Sequence, residues 1–173
     1  MDLRQHLRLM SGWHVWAFER TYAVLDHLDD ERYRRDAGLF FKSIHGTMNH
    51  MLLVEQLWHG RLVGEPFKPA SLAIEVEPDR ALLRARLVAH AALWRPVIDA
   101  LSENDLGGDV SYHSMEGKPF TLPRASLVHT LFTHGAHHRG QVSTVLTQWG
   151  LEAPVMDFPY FLLSLPPEKL HGA

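Results

Sequence analysis

The stretch HTLFTHGAHHRGQ, residues 129–141, holds four of the 13 histidines in the chain. His134 and His138 are four residues apart, so on an α-helix both imidazoles lie on one face, one turn apart. Gln141 follows on nearly the same line. Neutral imidazoles held in this way are good ligands for zinc, nickel, iron or copper. A pair alone is more often a polar patch or a hydrogen-bonded pair in the core, so a metal site needs a further ligand.

A third histidine, His50, lies on another helical segment, on a stripe with Thr47, Val54 and Leu57. A lone histidine on an apolar stripe is usually a hydrogen-bonded core residue, but a buried imidazole needs polar partners. Facing helices of a bundle supply such partners and build metal sites from them. We therefore predict a three-histidine metal site made of His50, His134 and His138. Three ligands leave coordination positions open for water or substrate, as in catalytic rather than structural sites.

Other polar residues lie near these histidines in the sequence. Glu55 lies well around the helix from His50, so we predict that it is not a ligand. Gln141 is predicted to bond either a ligand imidazole or water, or another core group. Further predictions concern Arg139 as the partner of a carboxylate at a helix junction, Gly140 as a point of close helix approach, His14 as a supporting residue in the bundle interior, and His113 as a residue overhanging the site. No residue stands out as a general base, so catalytic and cofactor-binding residues stay unassigned.

Four segments with helical periodicity must position these side chains. They run from about Leu3 to Leu28, from about Leu39 to Val63, from near Pro78 to about Leu101, and from about Arg124 to Trp149. Gly64 and Pro66 are predicted to end the second helix, and Pro96 to kink or shorten the third. Four helices of this length bury their apolar stripes most simply as a four-helix bundle.

A short β-hairpin is predicted between the third and fourth helices, in GDVSYHSMEGKPFTLP, with a turn that needs positive φ at Gly117. The aromatic tail MDFPYFLLSLPPEK is predicted to pack back on the bundle. The expected fold is all-α with this one hairpin. We expect residues 1–173 to form a single domain, since 173 residues is the size of one domain and can bury a substantial core.

Composition limits the function classes. A net charge of −3 argues against a broad phosphate-binding surface, and the arginines at 32, 34 and 35 are surrounded by acidic residues, so nucleic acid is not expected as a partner. The absence of cysteine removes thiolate nucleophiles and fits a reducing compartment. No apolar run is long enough to span a membrane, and the N-terminus does not read as a signal peptide. We expect a soluble cytoplasmic protein.

Two segments resemble the signatures of the DinB-like family. These are NHMLLVEQLWHGRL in the second helix and HGAHHRGQVSTVLTQWG in the fourth, and the hairpin and APVMDFPYFL also fit. The helix-four signature is fairly specific, because a His-x-x-x-His pair, Arg-Gly-Gln and a trailing glycine occur in register. The resemblance covers about residues 1–165. It implies an up-down-down-up four-helix bundle, usually dimeric, with a metal held by His50, His134 and His138.

Nickel or zinc is what the resemblance implies for this metal, and iron is a further candidate. Thiol-dependent relatives, a mycothiol-dependent maleylpyruvate isomerase and a bacillithiol S-transferase, use such a metal to activate a cofactor thiol. In a chain without cysteine the thiol has to be an external, low-molecular-weight one. A homodimer is also expected from a surplus of tryptophan, since Trp13, Trp16, Trp58 and Trp94 exceed what one small bundle core easily buries.

The sequence therefore supports three hypotheses about function. The first is a metal-dependent enzyme, either a thiol S-transferase or isomerase or a hydrolase acting on a small molecule. The second is a non-catalytic, metal-dependent small-molecule-binding or stress-response protein. The third, a structural bundle without metal, is the weakest. Metal affinity is expected to fall as the pH drops through about 6.5, because ligating imidazoles must be neutral.

Overall fold

Helices make up most of the chain in the computed structural model, which describes residues 2–65 and 67–170. The helices are α1 (Leu3–Leu25), α2 (Asp30–Arg34), α3 (Ile44–Val63), α4 (Arg80–Ala92), α5 (Trp94–Ala100), α6 (Glu103–Gly107), α7 (Arg124–Gln148), α8 (Phe158–Ser164) and α9 (Pro167–Leu170). Strands β1 (Asp109–His113) and β2 (Pro119–Pro123) pair antiparallel, with Val110 opposite Leu122. The predicted all-α fold with one hairpin is confirmed.

Contacts between side chains give the direction of each long helix. His6 stacks on His129, and further along the same two helices His14 meets Arg139, so α1 and α7 run parallel. Arg4 near the start of α1 bonds the carbonyl of Ile98 in α5, so the α4–α5 pair runs antiparallel to α1. That pair runs parallel to α3, because Asn49 bonds Glu77 just before α4 and Glu55 bonds Trp94 at the start of α5. The bundle is therefore up-down-down-up, as expected.

Two helix boundaries differ from the sequence predictions. The second predicted helix begins at Ile44 rather than Leu39, because Lys42 adopts a positive φ of 68° and Ser43 caps the helix by accepting from the Gly46 amide. The first predicted helix ends at Leu25 rather than Leu28. The residues that fall outside the helices, 26–28 and 39–43, form turns, and the turn at residues 39–43 becomes part of the candidate site.

The third predicted helix is broken in two, as Pro96 indicated. α4 ends at Ala92 and α5 starts at Trp94, which places Pro96 in the first turn of α5, where its missing N–H costs no helical hydrogen bond. Asp79, not Pro78, caps α4 by accepting from the Leu82 amide. Both halves pack against α1, so the break leaves the bundle intact.

Glycines end α3 and turn the hairpin as predicted. Gly64 follows α3 with φ of 82°, a left-handed cap that costs glycine little, and Gly117 turns the hairpin with φ of 79°. Pro66, the other predicted stop signal, lies outside the described residues.

The C-terminal tail packs on α1, as predicted. Phe161 of α8 is buried with its ring against Gly12, and the indole N–H of Trp13 donates to the Met156 carbonyl at 2.7 Å. Trp13 and Trp94 are buried in this single chain and Trp16 and Trp58 are half-buried. The tryptophans therefore do not require a second copy of the chain to cover them. No helix among residues 2–65 and 67–170 combines the length and apolar character needed to cross a bilayer.

Candidate metal centre

The three predicted histidines come together between α3 and α7. One ring nitrogen from each of His50, His134 and His138 lies within 4.8 Å of the other two. The Nε2 atoms of His50 and His134 are 3.2 Å apart, a distance at which two imidazoles either share one proton or face one cation. The geometry is compatible with a metal site and is the arrangement expected from the sequence.

Hydrogen bonds on the far side of two rings set which nitrogen is free. The Nδ1 of His50 lies 2.9 Å from the Leu72 carbonyl, which can only accept, so Nδ1 carries the proton and Nε2 keeps a lone pair. The Nδ1 of His138 lies 2.8 Å from Oε1 of Gln141. The amide nitrogen of Gln141 then donates to His137 at 3.1 Å, which fixes the orientation of its oxygen. Bonds of this type orient metal-ligating histidines in proteins.

Electrostatics keep the cluster neutral. Burial lowers the pKa of His50 to about 4, although the Leu72 carbonyl opposes the change. Burial and the neighbouring imidazoles lower the pKa of His134 to about 3, and burial also lowers the pKa of His138. At neutral pH all three rings are therefore uncharged, which is the form that binds a metal. The low pKa values also mean that protons compete for these nitrogens only in a more acidic range than the ordinary histidine pKa suggests.

An aromatic wall closes one side of the cluster. The ring of Phe41 stacks on His50 with centroids 3.8 Å apart and an angle of 17° between the planes, and it also contacts His138. Gly46 makes this approach feasible, because a Cβ there would meet the Phe41 carbonyl oxygen at 2.2 Å. The turn that delays the start of α3 thus places Phe41 against the site. Nothing in the sequence pattern pointed to this residue.

A cavity of about 380 Å³ lies beyond Phe41. Its lining includes Phe41, Asn49, Ala73 and Ile74. The cavity volume is within the range of small-molecule sites in proteins. None of the three clustered histidines lines the cavity, and Phe41, which stacks on His50, belongs to its wall.

A separate polar network crosses the core beside the cluster. It takes one side chain from each of α1, α3, the α4–α5 pair and α7. Arg139 of α7 can only donate, so the Nδ1 of His14 in α1 accepts from it at 3.3 Å. The Nε2 of His14 must then carry the proton, which it donates to Oε1 of Glu55 in α3 at 2.6 Å. The indole N–H of Trp94 in α5 donates to the other oxygen of Glu55. Each of the four residues is at most 3% exposed.

The network accounts for Glu55 and His14. Both oxygens of Glu55 are engaged by His14 and Trp94, which fits the prediction that it is not a ligand. Burial lowers the pKa of His14 despite the opposing effect of Glu55, so the imidazole is neutral at pH 7. His14 does reach the bundle interior, but it supports Glu55 and Arg139 and does not contact a ligand nitrogen through any described hydrogen bond.

The predicted roles of Arg139 and Gly140 were wrong in detail. Arg139 is 1% exposed and does not pair directly with a carboxylate among the described residues, because His14 stands between it and Glu55. Its guanidinium lies over the rings of Trp13 and Phe18, each 4.9 Å away, and burial lowers its pKa to about 10. The close approach occurs at Gly135, where a Cβ would lie 2.5 Å from Cε1 of His14, whereas a Cβ at Gly140 would meet open space.

The other histidines are not part of the cluster. His113 does not overhang it, since it lines a different cavity beyond the end of α3. His45 is buried against Glu75. His137 is exposed and borders the cluster, with its ring 4.9 Å from that of His138 and a hydrogen bond to Gln141. Of the described residues, His50, His134 and His138 form the one group with metal-site spacing.

Comparison with known proteins identifies a family that covers nearly the whole chain. The model of the DinB family matches residues 3–169, nearly the whole chain. No curated protein matches it. The resemblance that the two helical signatures indicated is thus confirmed over the full bundle, and the chain belongs to the DinB family.

Proposed function

We propose that the protein binds a divalent transition metal through the Nε2 atoms of His50, His134 and His138. The observation that carries the proposal is the convergence of three neutral imidazoles, two of which have their Nδ1 held by an acceptor. A nitrogen-only set suits nickel or zinc, and iron is the next candidate. The absence of an acidic residue from this cluster argues against magnesium or calcium, which prefer oxygen ligands.

The proposed activity is that of a metal-dependent enzyme acting on a small molecule, as a thiol S-transferase or isomerase or as a hydrolase. A metal with three protein ligands has positions left for a thiol or water, whose pKa it lowers toward neutrality. The chain itself contains no cysteine, so any thiol must come from a low-molecular-weight cofactor.

The surrounding residues would hold the ligands and limit access by water. Leu72 and Gln141 fix the imidazole tautomers, and Phe41 covers the face of His50. A preorganised ligand set of this type lowers the cost of binding the metal. No described residue is placed to act as a general base, so the proposal assigns no proton acceptor among the protein side chains.

A non-catalytic role in metal-dependent binding of a small molecule, or in a stress response, is the alternative. A measurement of metal-dependent turnover decides between the enzyme and the binding protein. Zinc-loaded and nickel-loaded protein would be assayed with a panel of small thiols and an electrophile such as monobromobimane, with the His134→Ala variant as control. Metal-dependent turnover that the variant loses supports the enzyme. Absence of turnover, together with a thiol-induced change in the absorption of cobalt-loaded protein, supports the binding protein.

Further proposals concern assembly and location. We infer a homodimer and a cytoplasmic location, with neither nucleic acid nor membrane as a partner, from the family resemblance, the composition and the lack of a basic surface in the sequence. A biological dimer interface buries about 1,000 Å² or more in total. Light scattering at micromolar concentration tests the dimer, and a mass equal to that of one chain would contradict it.

A further inference from the structure

A second cavity, of about 740 Å³, lies beyond the C-terminal half of α3, between that helix and the β-hairpin. Its lining includes Gly60, Arg61 and Gly64 at the end of α3, Phe67 and Lys68 in the following loop, and Tyr112 in the hairpin. The cavity is within the size range of sites for small organic ligands. None of the three clustered histidines lines it, and Leu57, its nearest lining residue in α3, is about 10 Å along the helix from His50. The cavity is thus distinct from the candidate metal centre.

Arg61 is held in this cavity as a fixed cation. Its guanidinium lies 4.6 Å from the ring centroid of Trp58 and 4.7 Å from that of Tyr112. One of its terminal nitrogens donates to the His113 carbonyl at 3.0 Å. These contacts fix the plane of the guanidinium and use one of its five N–H groups, so others remain for a ligand.

The charged side chains among the described residues that line the cavity are all cationic. Its described lining includes the cations Arg61 and Lys68 and no acidic residue. Glu116, at the hairpin turn, lies next to two lining residues, but its carboxylate accepts from Ser114 and is not part of the lining. Burial lowers the pKa of Arg61, which is the effect of desolvating a cation without a counter-ion. An anion bound here would supply the missing negative charge.

Apolar side chains share the rest of the wall with Ser111, His113 and Ser114, and the wall is preformed. Leu57, Phe67, Tyr112 and Met115 contribute aromatic and aliphatic surface, and Tyr112 stacks on Phe120 across the hairpin. The loop after α3 is packed directly on the helix, since a Cβ at Gly60 would meet the Glu65 carbonyl oxygen at 2.3 Å. A fixed cation beside apolar walls is the arrangement that recognises an acid group on an apolar body.

We propose that this cavity is a binding site for a small organic carboxylate with an aromatic or aliphatic body, with Arg61 and Lys68 binding the carboxylate and Phe67 and Tyr112 the apolar part. The site does not depend on a metal. This proposal is therefore independent of the proposed function and is tested separately.

Calorimetric titration of the full-length, zinc-equilibrated protein with 2-naphthoate and with the uncharged 2-naphthamide tests the proposal. We expect 2-naphthoate to bind with a Kd below about 1 mM and the amide to bind at least about tenfold more weakly, since a hydrogen-bonded charge pair is worth about a factor of ten or more. Failure of 2-naphthoate to bind, or equal binding of the two compounds, would overturn the proposal.

Variants locate the site. Arg61→Gln and Lys68→Gln should each weaken naphthoate binding, by about tenfold for the arginine. Arg95→Gln removes an exposed arginine that pairs with Asp99 elsewhere and should leave binding unchanged. If Arg61→Gln fails to fold, Lys68→Gln, whose residue lies in a loop, decides the question alone. Because carboxylates also bind zinc, His134→Ala must retain naphthoate binding, and its loss there would assign the ligand to the histidine cluster and refute this site.

Discussion

Replacing Glu55 by glutamine tests the polar network in the bundle core. The change keeps the size of the side chain but removes the negative charge that balances Arg139. It also replaces one acceptor oxygen by an NH2 group, which must face either the N–H of His14 or that of Trp94. His14 cannot change tautomer to relieve the conflict, because its Nδ1 already faces the donor-only guanidinium of Arg139.

The expected loss in the free energy of unfolding follows from the burial of these side chains. Removing one of two buried opposite charges costs about 3–5 kcal/mol, because the other charge stays behind without compensation. Glu55 and Arg139 are two such charges, and they interact through His14 rather than directly. Arg139 is 1% exposed and has two buried guanidinium nitrogens without a hydrogen-bond partner among the described residues, so it has little access to water. Since single domains unfold with about 5–15 kcal/mol, Glu55→Gln should remove a large part of the total stability.

The assay is equilibrium unfolding in urea, followed by circular dichroism. Glu75→Gln is the matched control, since Glu75 also bonds a buried histidine, His45, but its side chain is 51% exposed and water can replace it. The control should change the free energy of unfolding by less than about 1 kcal/mol. A loss below about 1 kcal/mol in Glu55→Gln would refute the reasoning, because it would mean that the core tolerates the unbalanced arginine charge.

Three further predictions concern the site and its support. Gln141→Leu should weaken zinc affinity about 10- to 100-fold in a chelator competition, because His138 loses the acceptor that orients it. Gln148→Leu, on the exposed face of α7, is the control and should not change zinc affinity. Gly135→Ala should lower the free energy of unfolding by about 1–3 kcal/mol because its Cβ meets His14, whereas Gly140→Ala should be neutral or stabilising by up to about 1 kcal/mol. The metal-free protein should lose thermal stability as the pH falls from about 6.5 to 4: the folded-state pKa of His50 is about 4, so the unfolded chain takes up protons first in this range.

Each of these predictions has a contradicting outcome. Equal zinc affinities for the two glutamine variants would show that the Gln141 contact does not support the site. Equal stabilities of the two alanine variants would show that α1 and α7 can separate at Gly135 without cost. A melting temperature of the chelator-treated protein that stays constant from pH 6.5 to pH 4 would show that the buried histidines titrate as they do in the unfolded chain.

Regular periodicity explains why the histidine cluster could be predicted from the sequence. His134 and His138 share a helix face whatever the fold, and an inward histidine on a second helix completes the set once the helices form a bundle. The hairpin and the end of α3 were likewise marked by Gly117 and Gly64, which take the positive φ that those turns need.

The supporting residues were not predictable in the same way. His14 and Arg139 are 125 residues apart in sequence, and no local pattern indicates that these two polar side chains meet in the core. Gly140 was predicted to be the point of close helix approach. The close contact with α1 occurs instead at Gly135, which depends on the position of α1. The late start of α3 depends on one residue, Lys42, in a conformation that its side chain does not favour.

Metal content measured on the untagged protein tests the central claim most directly. Wild type, His134→Ala and His129→Ala would be dialysed at pH 7.5 against zinc or nickel with a weak competing chelator and analysed by mass spectrometry of the elements. We predict a single bound metal ion per chain in wild type and in His129→Ala, whose exposed imidazole on the same helix is not in the cluster, and loss of the ion in His134→Ala. Full occupancy in folded His134→Ala, or none in wild type, would contradict the account.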